Sequence, residues 1–503
     1  MREIITLQFG EHANYVGMHF WNMAQRQAEK ARETSASGSG GDADSEYVLF
    51  SERRRQPRAL VFDRASAFGS LGRADMQSTG DDARDQEQAL WGGASEVYRQ
   101  QQPEHSNGNG NTVDQSGGGV QTWPDFRQSV EFGSRSLEVV SGIEFGNSLG
   151  EMTTFDEGWQ VFSGADARRG DVLDDGGFRM YAEECDRVQG FQTLADATGG
   201  FAGYAAAFVE RVRDEFPKSP VVVYSVDAAA TRGSVASAGP RAIDVAVATA
   251  TALESASLGV SLYLPSRVGD GVRRAGLDSL FGASGLLAMN VAQWTQPLVE
   301  GSRVLDDVVA LVTQQSHLRL AESLVSPGLR DIASNSNNNS NNNNHSNDKN
   351  VADIISRRFT ACSDVADDCL RSLGGAFSVD RGTSFGGDVL ARYLPSPARV
   401  RCADGAVVLP TVFPNILRSI GRDGFIAQHP PSSATTDADT TTVGEVRVAG
   451  LLCTTRATAV HLQQLRSVLS VEGSRYLKDY ERDTIRELRY ALDGEIDKYM
   501  AIG

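Results

Sequence analysis

The sequence predicts an α/β protein built on a parallel sheet, and three stretches carry that prediction. Ile4 to Phe9 is a short apolar run that ends at Gly10, and a helix pattern follows at once, with Val16, Phe20 and Met23 at helical spacing. Ala59 to Phe62 is a buried-strand run ending at Asp63. Gly190 to Ala195 reads as a strand, and the glycine-rich loop Asp196 to Gly203 follows it. Tyr204, Phe208 and Val212 then fall on one helix face, Pro217 and Pro220 end that helix, and Val221 to Val226 gives the next strand. Strand, loop, helix and strand in that order form the unit of a parallel sheet.

Further along, Ile243 to Leu258 suits a mostly buried Ala-rich helix, with Ser261 to Leu264 as a strand after it. Asp306 to Leu324 reads as a helix with Val308, Leu311, Val312 and Leu318 as its apolar stripe. Short strands come later, Val407 to Leu409 and Val446 to Val448. Two helices close the chain, Thr458 to Leu469 and Tyr476 to Met500, the second with the mixed charge of a solvated face. Four segments rich in Gly, Ser, Asn, Pro or Thr read as disordered surface insertions: Thr34 to Asp44, His105 to Gly119, Ser334 to Asn350 and Pro430 to Thr442. None holds enough apolar surface to offset the entropy of ordering. The domain reading is an α/β unit over 1–265, an α+β unit over 266–457, and C-terminal helices over 458–503.

The chain has 503 residues, enough for two or three domains. Its net charge of −17 repels nucleic acid and anionic lipid, so neither is an expected partner. Arg53, Arg54 and Arg55 form the one dense basic cluster and read as a solvated loop. Cys185, Cys362, Cys369, Cys402 and Cys453 show no zinc-type spacing and read as free thiols in a reducing compartment. No secretory leader or mitochondrial transit pattern opens the chain, and no apolar run reaches membrane-spanning length.

The N-terminal β–α turn is where chemistry is expected. A glycine at that junction allows a tight turn and close ligand approach, and the helix amides can hold a phosphate. Spacing alone favours an ordinary β–α turn over a ligand site. Other chemistry is missing from the pattern. There is no Gly-x4-Gly-Lys loop and no Gly-x-Ser-x-Gly elbow, and none of Lys30, Lys218, Lys349, Lys478 and Lys498 follows a glycine-rich run. His12 and His19 lie seven apart near Glu11, without an identifiable further metal ligand. Glu183, Glu184 and Asp186 read as a helix-surface cluster, and Cys185 and Phe191 as core.

The strand with Arg2-Glu3-Ile4 and the loop Gly10-x3-Asn14-x2-Gly17 resemble the opening of tubulin. Pro57 to Asp63 resembles its second phosphate-side strand, and Gly199-Gly200-x2-Gly203 its glycine-rich signature. The resemblance implies a degenerate GTP-type site made by Gly10, Glu11, His12, Asn14, Asp63, Thr198, Gly199, Gly200 and Gly203. Several positions depart from tubulin. Glu11 and His12 replace a Gln and a Cys, Ala13 replaces a glycine, and Ala65 stands where an acid aids magnesium binding. Phe201 places a ring where phosphate needs backbone access. Asp244 and Val245 lie near the place of the guanine-reading Asn, and the segment that completes a neighbour's site is not found. A carboxylate at position 11 facing a triphosphate would cost several kcal/mol.

A second set of motifs is not tubulin's: Phe155-Asp156-Glu157-Gly158, Glu183-Glu184-Cys185-Asp186, Gln189-Gly190-Phe191-Gln192, Gly200-Phe201-Ala202-Gly203, Trp123-x-Asp125-Phe126 and Phe68-Gly69-Ser70-Leu71. They resemble the Misato family. That resemblance implies a tubulin/FtsZ-like fold: a nucleotide-binding-type parallel-sheet domain, a smaller α+β domain and C-terminal helices. It implies a non-enzymatic role in mitochondrial distribution, morphology and inheritance. It further implies protein partners such as tubulin or cytoskeletal and folding machinery, no cofactor, and a cytoplasmic protein held at the outer face of mitochondria by a partner. The alternative is a GTP-binding, polymerising GTPase.

Overall fold

In a computed structural model, the described residues are 2–36, 43–69, 115–140, 152–164, 176–231, 239–265, 267–314, 317–328, 373–381, 398–402, 406–418, 423–426, 444–470 and 482–502, with isolated positions between them. The first strand, β1 (Glu3–Phe9), is wholly buried, and α1 (Glu11–Ala36) follows it. Next come β2 (Ala59–Asp63), β3 (Leu137–Val139), α2 (Phe155–Ser163) and α3 (Gly177–Glu184). The central unit is β4 (Val188–Asp196), α4 (Gly200–Glu215), β5 (Val221–Thr231), α5 (Pro240–Ser255) and β6 (Leu258–Leu264). Then follow α6 (Leu280–Val299), α7 (Leu305–Val312), β7 (Leu320–Pro327), β8 (Thr360–Ala361) and β9 (Leu373–Arg381). The chain ends with β10 (Arg399–Arg401), β11 (Val407–Val408), β12 (Glu445–Val446), β13 (Val448–Thr455), α8 (Ala457–Val468) and α9 (Arg482–Met500).

One large sheet runs in the order β10-β9-β13-β7-β6-β5-β4-β1-β2-β3, with β8 paired to β7 off that path. From β3 to β7 every neighbouring pair is parallel; β13 then pairs antiparallel with both β7 and β9. The strands on either side of residue 265, β6 and β7, pair directly, so the sheet passes through the expected domain boundary.

Alternation along β1 divides the core between two faces. Ile4 faces a cluster built on α1 and α6, while Ile5, Leu7 and Phe9 face one built on α4. Phe9 stacks on Phe62 with ring centroids 4.6 Å apart, and each such buried ring stabilises by about 2–3 kcal/mol. A third cluster joins α5 to α8 and α9 through Ile243, Leu462, Leu492 and Tyr499. The Tyr499 hydroxyl ties α9 to the sheet, donating to Leu320 O at 2.5 Å and accepting from Leu320 N–H at 2.6 Å.

The strands and the buried helix faces stand close to where the sequence places them. Val16, Phe20, Met23, Phe208 and Val212 are all buried. Five expectations need correction. The run 306–324 is not one helix: α7 stops at Val312, and the fully buried β7 begins at Leu320. The strand is covered on both faces but carries Glu322, Ser323 and Ser326 among its apolar residues, so it shows no alternation that would mark a strand. The helix expected over 243–258 is α5, which ends at Ser255 because Leu258 opens β6. The strand expected over 446–448 breaks at Arg447, with β12 before it and β13 after it. The first insertion begins later than expected, since α1 continues to Ala36 with Thr34 and Ser35 bonding back to Lys30 O and Ala31 O. The glycine-rich loop is shorter than 196–203, because α4 already starts at Gly200.

The insertions expected at 334–350 and 430–442, residues 105–114 of another, the start of the last helix at Tyr476, and Cys362 and Cys369 lie outside the described residues. Helix α6 is absent from the sequence reading. Every residue from Phe281 to Leu298 is buried, so the helix has no polar face to generate a periodic signal.

Candidate functional site: the crevice at the head of α1

Strand order reverses between β1 and β4: β2 and β3 lie to one side, β5 to β7 to the other. In open parallel sheets such a switch point opens a crevice at the carboxyl ends of the strands, and ligands bind there. The helices that leave β1 and β4 begin at this crevice, so the amides of both N-termini point into it.

Gly10 makes the first turn at φ 93°. A Cβ there would sit 2.5 Å from the Asp196 carboxyl carbon and 2.9 Å from Phe201 Cβ, so the turn admits only glycine. Asp196 Oδ1 accepts the Ala13 N–H at 2.7 Å. That amide belongs to the first turn of α1, and a carboxylate of the protein itself has taken it. Across the crevice, Asp244 repeats the arrangement. Its Oδ2 accepts the Gly199 N–H at 3.0 Å and its Oδ1 accepts the Phe155 N–H at 3.2 Å.

Asn14 and Asp63, both named in the expected site, lie against each other in the crevice. Asn14 Nδ2 donates to Asp63 Oδ2 at 2.8 Å and to Phe62 O at 3.0 Å, pinning α1 to β2. The Trp123 indole N–H also donates to Asp63 Oδ2, at 3.1 Å, and the Arg64 N–H donates to Oδ1 at 2.8 Å. Glu11 turns along the rim, where it pairs with Arg64 at 3.0 Å and keeps 39% side-chain exposure. His12 Nδ1 lies 3.5 Å from Asp227 Oδ1, and Arg241 pairs with the other oxygen of Asp227. Thr198 and Gly199 form the half-buried turn, while Gly200 and Gly203 lie buried in the first turns of α4. Phe201 packs in the core beside Phe9 and Tyr204.

Burial dominates the electrostatics of this crevice. It lifts Asp196 to about 7, against the pull of His12 and the Ala13 N–H. Asp63 rises to about 6 for the same reason, partly offset by Asn14 and the Arg64 N–H. Burial raises Asp244 as well. It also pushes Asp227 upward, but the His12 hydrogen bond and Arg241 together bring that carboxyl below its usual range. Burial disfavours the charged form of His12, yet Asp227, Asp196 and Glu11 together raise it. His19, seven residues further along α1, does not join this group. It is a core histidine stacked on Phe126 with Nε2 3.0 Å from Phe281 O, and burial holds it down to about 3.

The crevice thus contains proton carriers near neutrality. Cys185 is half-buried at the end of α3, with burial pushing its thiol up to about 12. Among the described residues no group of three His, Cys, Asp or Glu could hold a metal ion. Sequence reasoning named Asp196 only as a loop residue and Asp244 only as a neighbour of an expected base-reading position. Asp196 ends a strand before a glycine turn and Asp244 lies early in a helix, and both placements are too common to single out either residue.

Comparison with known proteins follows the same outline. Residues 2–113 match the Misato Segment II tubulin-like domain, and residues 113–298 match a tubulin domain. Protein DML1 of Gibberella zeae is 28% identical over 236 residues, which are 44% of this chain and 45% of that protein. Protein dml1 of Aspergillus clavatus is 29% identical over 243 residues, 45% of this chain and 46% of that one. Protein misato homolog 1 of Mus musculus is 26% identical over 255 residues, 45% of this chain and 44% of that one. The chain is thus similar to tubulin-like proteins of the Misato and DML1 type. The match spans about half the length of each of these relatives.

The Misato-type motifs have packing roles around the crevice. Trp123 holds Asp63 and meets Phe68 edge-on at 5.6 Å. Asp125 closes a capping box with Thr122, and Phe126 packs on His19. Gln189 Oε1 accepts the Leu305 N–H, and Gln192 Oε1 accepts the Thr295 hydroxyl. Phe155 to Gly158 lies directly on Gly200 to Gly203.

Proposed function

We propose that this chain is a tubulin-like, non-enzymatic protein that acts through protein contacts in the distribution, morphology and inheritance of mitochondria and their DNA. One observation carries the non-enzymatic part. The amides best placed to hold a phosphate, those of Ala13 and Gly199, already donate to Asp196 and Asp244. A nucleotide would have to displace two internal carboxylates and would meet their charge at short range. The Misato-type resemblance supports the mitochondrial part. No described helix is long and apolar enough to cross a membrane, which suits association through a protein partner at the outer face of the organelle. Tubulin, cytoskeletal proteins and folding machinery are the partner classes that the tubulin-like architecture favours.

A second reading, a GTP-binding tubulin-like protein, rests on Asn14, Asp63 and Gly10 standing together at the switch point of the sheet. Phosphoryl transfer needs metal charge and a placed water as well as binding. One experiment separates the readings: thermal-shift titration with GTP and GDP, beside a phosphate-release assay with magnesium. We expect neither a shift nor turnover. Turnover that disappears in Asp63→Asn would overturn the proposal.

A further inference from the structure

The glycines of α2 and α4 bring two segments closer than side chains allow. A Cβ on Gly158 would lie 1.7 Å from Gly200 O, one on Gly203 would lie 1.8 Å from Phe155 O, and one on Gly200 would lie 2.2 Å from Met152 Cβ. Residues 152–158 are therefore seated backbone-to-backbone on the turn and first helical residues that follow β4. Ordinary helix pairs keep their axes 8–10 Å apart because Cβ atoms intervene, and three glycines at one crossing remove that spacer. The segment has its own cap: Thr154 Oγ1 accepts the Glu157 N–H, and the Glu157 carboxylate accepts the N–H groups of Thr153 and Thr154. Asp244, on α5, reaches both partners of the contact, one oxygen on Phe155 N–H and the other on Gly199 N–H.

We propose that residues 152–158 are a built-in occupant of the glycine-rich turn, an autoinhibitory contact latched by the Asp244 carboxylate, and that segment and turn open as one unit. The inference deepens the non-enzymatic reading, on which it rests, by naming what closes the crevice. A turn with free amides beside a helix N-terminus attracts anions. Here the Met152–Gly158 backbone covers the turn, and the one carboxylate that satisfies the Gly199 amide also secures the cover. Loosening the cover should therefore expose the turn, although the two belong to different elements.

Hydrogen exchange on the full-length protein, read by mass spectrometry, tests this without any nucleotide. In Asp244→Ala, exchange at both Phe155 and Gly199 should rise on the order of tenfold to a hundredfold, the factor for losing a hydrogen bond to a charged group. A second variant, Thr154→Ala, removes the cap of α2 and leaves Asp244 and the sheet untouched. It should speed exchange across 152–158 about fivefold, and Gly199 should accelerate with it while β4 does not change. Unchanged exchange at Gly199 in Thr154→Ala overturns the coupling. Exchange across 152–158 as fast in the native protein as in an unstructured peptide overturns the occupancy. Nucleotide turnover by the native protein with 152–158 still protected would sink both the non-enzymatic reading and the inhibitory role of the contact, whereas lost exchange coupling without turnover would sink the contact alone, so the two failures are distinguishable.

Discussion

Asp196→Asn should stabilise the protein above neutral pH. The wild-type carboxyl is raised from 3.8 to about 7 by burial, with Asp63 and Asp227 adding to the rise and His12 and the Ala13 N–H opposing it. A carboxylic acid with a raised folded pKa binds more protons folded than unfolded. Its contribution to stability is complete below pH 4 and is lost as pH climbs to 7. About three pK units at about 1.4 kcal/mol each make that loss about 4 kcal/mol. Asparagine keeps the shape and an oxygen for the Ala13 N–H, and the loss just given already includes that amide's bond to the charged carboxylate. The net gain at pH 8 is therefore about 4 kcal/mol, and at pH 4, where both side chains are neutral in the folded state, the two proteins are about equally stable. For 503 residues, an unfolding entropy of about 2.1 cal/mol/K per residue makes 1 kcal/mol about 1 °C in Tm. Scanning fluorimetry at pH 4 and pH 8 should then show a variant-minus-wild-type difference that moves from about 0 °C to about +4 °C. A difference equal at the two pH values would refute the reasoning, because it would mean that Asp196 carries no buried charge.

Two further outcomes follow from other positions. His19 is held down to about 3, so the folded state takes up fewer protons than the unfolded one as pH drops below 6.5. The His19 contribution to stability should then fall with acid by about 1.4 kcal/mol per pH unit between about 6 and 3, and the stability difference between His19→Leu and wild type should change by that slope between urea titrations at pH 6 and pH 4. Tyr499→Phe removes the hydroxyl that bridges both backbone groups of Leu320. It should cost about 1–3 kcal/mol and lower Tm by a comparable number of degrees, and an unchanged Tm would show that α9 is held by packing alone.

The sheet was legible in the sequence wherever burial made the chain uniformly apolar: Ile4 to Phe9, Ala59 to Phe62 and Val221 to Val226 all fall in the strands they predict. Burial on every side concealed β7 and α6, because periodicity reports a boundary between core and solvent and these elements have none. At the site, Asn14 and Asp63 were each named through the resemblance to tubulin, and their hydrogen bond was not foreseen. Glu11 was expected to oppose phosphate, but it lies along the rim with Arg64. The opposing charge belongs to Asp196 and Asp244 instead. Their role depends on which amide lies 2.7–3.0 Å away, and register, not residue type, sets that distance. The fit of Phe155 to Gly158 on Gly200 to Gly203 was likewise hidden, because two separate glycine motifs do not announce that they face each other.

The place of β1 has a consequence for biosynthesis. Its two neighbours in the sheet are β2 and β4, and its register with β4 runs to Ala195. At about 5–20 residues per second, the ribosome leaves that edge of β1 without its partner for about 10–40 seconds. The wait for β13, which must slot between β7 and β9 from near the end of the chain, is longer still. Nascent chains with such distant strand pairings fold slowly and expose adhesive edges meanwhile. This protein should therefore depend on holding chaperones during translation more heavily than its size alone would suggest.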